Sequence, residues 1–215
     1  MSVPGYRINL KRSGSPTATT GESFSADGTN RYQIDATGKR VWDRFTTPTF
    51  KDSGGTTISS TEVKSVDYLF GRVTFKSTQG TGLTGDVTYL PMSDIGGANS
   101  FTLNQTADLL DDTDFSSTGF RSRKVGLHDI SMSVSRYTPS STALDFWKNY
   151  IGRAGSTEIV VEIQTETTGP FARGFFVLSQ DSRSGDVGSL ESEDIELSLE
   201  APVGADAPPF GWSDI

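Results

Sequence analysis

LHDISMSVSRY, residues 127–137, decides the fold class. Ile130, Met132 and Val134 fall on one side of an extended chain, and Ser131, Ser133 and Ser135 fall on the other. A period of two marks a strand with one face in a core and one in water, the pattern of an antiparallel sheet. The same period returns downstream. Residues 158–164 place Ile159, Val161 and Ile163 inward. Residues 190–200 place Ile195, Leu197 and Leu199 inward and Asp194, Glu196 and Glu200 outward. Residues 173–180 (RGFFVLSQ) are apolar on both sides and read as a central strand covered on two faces.

Upstream the strand signals are shorter. Residues 6–10, 40–45 (RVWDRF), 66–70, 72–76, 87–90 and 100–107 read as strands, with Gly71 as a break and Pro91 as a stop. In 40–45 the alternation puts Val41, Asp43 and Phe45 on one side. Residues 13–30 are rich in Gly, Ser, Thr and Pro and read as a loop or mobile arm. Residues 46–65 are polar, with Asp52-Ser53-Gly54-Gly55 at their centre, and read as a long hairpin with a flexible tip. So little apolar surface cannot offset the entropy of ordering, so this segment is expected to be mobile until a neighbour holds it.

One helix is expected, over 142–151. Thr142 and Asp145 have capping-box spacing, Leu144, Trp147 and Ile151 form a stripe, and Gly152 follows the end. Residues 202–215 return to Gly, Ala, Asp and Pro, with Phe210 and Trp212 needing a docking place on this chain or a neighbour. The expected fold is therefore mainly β: an antiparallel sandwich or barrel over 1–201, flanked by one short α-helix, with long loops and an extended tail at 202–215.

Composition removes most chemistry. The 215 residues contain no cysteine and one histidine, His128, so thiolate nucleophiles, Cys-bound zinc and His clusters are out. No apolar run approaches the roughly 18 residues of a membrane helix, and the opening MSVPGYRINLKR lacks the apolar core of a secretory signal. A pI near 4.7 speaks against binding nucleic acid by neutralising phosphates. The charge is segregated. Residues 1–85 hold 11 Lys+Arg against 7 Asp+Glu, and residues 86–215 hold 8 against 20, which suggests two different surfaces.

The remaining motifs have plain readings. Gly80-Thr81-Gly82-Leu83-Thr84-Gly85 matches GxGxxG, but Asp86 and β-branched residues follow where a dinucleotide site needs a helix, so a turn is expected. Asp111, Asp112 and Asp114 do not make an EF-hand loop, because Ser117 and Arg123 occupy the positions that require Gly and Glu. Asp111–114 and Glu191–196 could supply two glycosidase carboxylates only if they faced one another across a cleft. His128 and Asp129 are strand neighbours and point to opposite faces. No catalytic, cofactor or metal residue is expected, and no enzyme.

Residues 93–201 resemble the major tail tube protein of long-tailed, non-contractile bacteriophages. The features carrying the resemblance are Asp114-Phe115 through Gly119-Phe120, Gly126-Leu127-His128-Asp129 opening the strand, the helix at 142–151, the Gly169-Pro170 turn, Gly174 within 173–178, the 185–188 turn and the acidic closing strand. The resemblance implies a virion structural protein made in the host cytoplasm and assembled as stacked hexameric rings. Its partners would be further copies of itself, a tape-measure protein and tail-end initiator proteins. DNA would pass through the pore without specific binding, and no membrane or cofactor would be involved. It also makes Asp194, Glu196 and Glu200 candidates for the lumen, and Asp52, Gly54 and Gly55 candidates for an inter-ring loop. A tube protein of a contractile tail or secretion-type tube is the near alternative. A carbohydrate-binding module is the distant one, disfavoured because Phe146, Trp147, Tyr150, Phe175 and Phe176 stand at core-like positions.

Overall fold

The alternating segments fold as strands. The computed structural model describes residues 9–95, 98–111, 123–137, 159–164, 169–188, 190–200 and 209–213. Their strands are β1 (Asn9–Ser13), β2 (Thr17–Gly28), β3 (Arg31–Ile34), β4 (Thr49–Lys51), β5 (Val63–Asp67), β6 (Arg72–Phe75) and β7 (Thr84–Tyr89). Then follow β8 (Met92–Asp94), β9 (Ala98–Asp111), β10 (Arg123–Tyr137), β11 (Ile159–Gln164), β12 (Phe171–Ser184), β13 (Ser192–Leu199) and β14 (Phe210–Trp212). Two 3-10 turns, Thr37–Lys39 and Ser60–Glu62, complete the regular elements of these residues. The protein is mostly β and its sheets are antiparallel. The expected helix at 142–151 lies outside the described residues.

The chain divides into two compact units, one of residues 1–95, 154–176 and 200–215, the other of 96–153 and 177–199. In the first unit a six-stranded sheet runs β4-β7-β2-β3-β6-β5. Its interior is one cluster: Phe24, Tyr32, Ile34, Trp42, Phe50, Val66, Val73, Phe75, Leu83 and Val87. Phe50 is at its centre, edge-on to Phe24 and to Phe75 at 5.6 Å each. Gly85 permits this, because a Cβ there would lie 2.9 Å from Phe24 and 3.1 Å from Phe50. The same unit holds strands in the order β8-β1-β11-β12, with β14 also on β12. Val41, Leu69, Phe70, Leu90, Val160 and Phe175 form a second cluster there.

Three expectations need correction. Residues 13–30 are not an arm: β2 is a twelve-residue strand between β7 and β3. Only Phe24 of that strand is buried, so it carries no hydrophobic alternation, and the backbone ladders on both sides place it. Residues 40–45 are not a ladder strand. Val41 and Trp42 are both buried, in different clusters, while Phe45 is exposed and Asp43 closes a turn by accepting from Thr46 Oγ1 at 2.7 Å.

Residues 46–65 form the expected hairpin, but not one lacking apolar anchorage. They hold β4, a tight turn, an antiparallel bridge from Lys51 to Thr57, and the start of β5. Phe50 fixes the segment in the core, with Ile58 packed against the same cluster. The expected lack of apolar anchorage is what the structure corrects: Phe50 and Ile58 supply it.

Other expectations hold. Strand, break and strand at 66–76 become β5, a turn and β6. Asp67 Oδ1 accepts the amides of Leu69 and Phe70 at 3.1 and 3.2 Å, and Gly71 turns the chain at φ +63. A Cβ on Gly71 would sit 2.8 Å from the backbone of Arg40. The GxGxxG stretch is a turn leading into β7. In β12, Arg173–Phe176 and Leu178 are buried, as a strand covered on both faces requires, although Ser179 and Gln180 are exposed. In β11 the expected alternation is replaced by burial of all of Ile159–Ile163. The docking place of Phe210 and Trp212 is the chain itself: β14 pairs with Ala172–Gly174 of β12.

In the second unit the order is β12-β13-β10-β9. The opening motif is the heart of β10. Ile130, Met132 and Val134 are buried, and Met132 and Val134 stand opposite Leu197 and Ile195 of β13 and Leu103 and Phe101 of β9.

Candidate functional site

The alternation that buries one face of this sheet builds the other. Cross-strand partners share a face, so the register lays out three rows: Asn104–Ser131–Ser198, Thr102–Ser133–Glu196 and Ser100–Ser135–Asp194. Every side chain in these rows is small, hydroxylic, amidic or acidic, and none is cationic. Asp194 and Glu196 are exposed, and Ser135 donates its hydroxyl proton to Asp194. Glu200 shares their parity but is partly buried and belongs to the first unit. The three acidic candidates therefore split: Asp194 and Glu196 come together on the polar face, and Glu200 stands apart.

The buried face of the same sheet holds charges that alternation alone does not announce. Arg136 and Glu193 stand opposite each other and are 1% and 0% exposed. Arg136 Nε donates to Glu193, and Arg183 donates to the same carboxylate at 3.1 Å and to Asp181 at 3.3 Å. Burial raises the Asp181 pKa, and Glu193 nearby raises it further. Buried ions must be paired to be tolerated, and this set is paired. The signal was parity: Arg136 continues the Ile130-Met132-Val134 side, and Glu193 the Ile195-Leu197 side. Glu193 is thus a structural carboxylate, not half of a hydrolytic pair.

A second buried network lies in the first unit. Glu162 receives Lys11 at 2.8 Å and Arg173 at 2.7 Å, and Arg173 also donates to the Leu69 carbonyl at 2.8 Å. The guanidinium lies 4.6 Å from the Phe171 ring centre. Burial lowers the Arg173 pKa, and the Glu162 carboxylate opposes the shift. Lys11 and Arg173 thus each have an acceptor within this network.

The inter-ring candidates Asp52, Gly54 and Gly55 form one small exposed device. Asp52 Oδ1 accepts the amides of Gly54 and Thr56 at 2.9 Å each, and Gly55 has φ +80. The tip is a self-bonded turn on a core-anchored hairpin. His128 and Asp129 are both exposed on β10. Asp111 ends β9, while Asp112 and Asp114 lie outside the described residues. Among the described residues no three His, Cys, Asp or Glu side chains are grouped to hold a metal.

No family model and no curated protein matches the chain. Two solved structures are similar to it. One is the tail of an empty gene transfer agent particle, computed with helical refinement and C6 symmetry. It matches at 16% identity and TM-score 0.43, covering 54% of this chain and 87% of that one. The other is the virion of a native gene transfer agent particle, at 16% identity and TM-score 0.44, covering 57% and 89%.

Proposed function

We propose that this chain is the tube subunit of a long-tailed, non-contractile phage-like particle. Copies assemble into hexameric rings that stack into the conduit for DNA ejection. Both units act together as one tube subunit, with tape-measure and initiator proteins as partners in the virion. The carrying observation is the polar face of β9, β10 and β13, whose rows hold hydroxyls, an amide and carboxylates without a single Lys or Arg. Turned toward a pore, such a face repels phosphates and offers no donor ammonium to hold them, so DNA slides. The sequence resemblance over 93–201 points the same way.

Other features support assembly. Among the described residues β5, β8 and β9 each pair on one side only, and ring closure would use such edges. The basic excess before residue 86 and the acidic excess after it suit head-to-tail stacking of complementary surfaces. Sedimentation across concentration, with and without a tail initiator, tests the reading. Large discrete oligomers are expected, and a persistent monomer under both conditions would overturn it.

A further inference from the structure

Large exposed apolar side chains concentrate at one place in the second unit. Residues 106–111 of β9 and 123–129 of β10 form a two-stranded ribbon carrying Leu109 (58% exposed), Leu110 (59%), Val125 (59%) and Leu127 (81%). Leu109 stands opposite Val125, so one face of the ribbon is apolar, while Leu110 stands opposite Lys124 on the other. Such a surface on a polar protein marks a contact yet to be made. β9 is also the last strand of its sheet, and its outer edge is open among the described residues.

The first unit holds a matching receptor. β4 and β5 are the two ends of the six-stranded sheet, and residues of both line a groove of about 540 Å³. Its lining is mixed: Pro48, Ile58, Val63 and Tyr68 supply apolar surface beside the buried Phe50 and Val66, among threonines, serines and Lys64. β5 pairs only with β6 among the described residues, so its other edge is open. The lengths agree: β5 has five residues, and the free ribbon edge 106–111 has six. One charge pair agrees as well: β5 carries exposed Lys64 and the ribbon edge exposed Asp108, while Asp111 stands opposite Arg123 within the ribbon.

We infer that the β9–β10 ribbon of one copy docks in the β4/β5 groove of a second copy, with the β9 edge extending β5. Backbone hydrogen bonds would supply the join, and the leucines entering the groove its register. The inference rests on the self-assembly reading above and names the contact that carries it.

The absence of native cysteine makes the test clean. Single variants Leu109→Cys and Ser65→Cys are mixed and treated with a short bismaleimide, which tolerates a small register slip. A cross-linked heterodimer at least about tenfold above either variant alone is expected, each tenfold being about 1.4 kcal/mol. In parallel, Leu109→Asp with Val125→Asp, both at exposed positions, should keep the wild-type melting temperature and lower assembly at least about tenfold. Absence of the heterodimer overturns the docking, whatever the aspartate variant does. If tubes form without it, the tube reading stands and the docking falls. If the heterodimer forms but no ring ever does, the docking stands and the tube reading falls.

Discussion

Glu193 and Glu196 are three residues apart on one strand and do opposite things. Glu193 is fully buried between Arg136 and Arg183, while Glu196 faces water. Glu193→Gln leaves the two guanidiniums short of their counter-charge and should cost about 3–5 kcal/mol, the scale of a broken buried pair. Glu196→Gln should stay within about 0.5 kcal/mol. Urea unfolding of both variants checks the contrast. Asp67 gives a pH test. Burial raises its pKa, against the pull of the Leu69 and Phe70 amides and of Arg72 and Arg173. The folded protein thus binds this proton more readily than the unfolded chain, and from Asp67 alone stability falls as pH rises from the ordinary Asp range through the raised value. Asp67→Asn keeps an acceptor for the turn and removes the titration. Its stability relative to wild type should therefore rise with pH across that window, as melting curves from strongly acid to neutral pH would show.

At the scale of elements, sequence legibility followed hydrophobic period. β10, β11, β12 and β13 were readable because their buried residues alternate or run continuously. β2 was not, because ladders on both sides hold a strand whose side chains mostly face water. The anchorage of the 46–65 hairpin is hidden for a related reason: Phe50 and Ile58 hold it in the cluster, and two apolar residues eight apart show no period. Phe50→Ala should cost about 3–5 kcal/mol by emptying the centre of the cluster. Asp52→Ala, which removes only the acceptor of two exposed amides, should cost about 1 kcal/mol. Thermal melts of the two variants would separate anchor from tip. Equal losses would mean that the turn, not the aromatic, orders the segment. The candidate site was legible in part: parity found Asp194 and Glu196, but it could not tell that Glu200 is partly buried and belongs to the first unit or that Glu193 is neutralised inside.

For the whole molecule, the proposed conduit makes charge sign on the polar face the variable to test. Changing Asp194 and Glu196 together to lysine replaces two exposed acids on a sheet face and should leave folding and assembly intact. In a ring each change repeats with every subunit, and the resulting cationic band would hold DNA rather than release it. Particles built with this variant should eject DNA slowly or not at all at low salt, and recover at high salt as the attraction is screened. Normal ejection at low salt would put these residues on the outer wall.

The most direct measurement is electron microscopy of the purified protein at high concentration and on a tail initiator. The account predicts rings or tubes with an open central channel, with the β9–β10–β13 face lining it. Uniform particles of single-subunit size under both conditions, or closed assemblies without a channel, would contradict it.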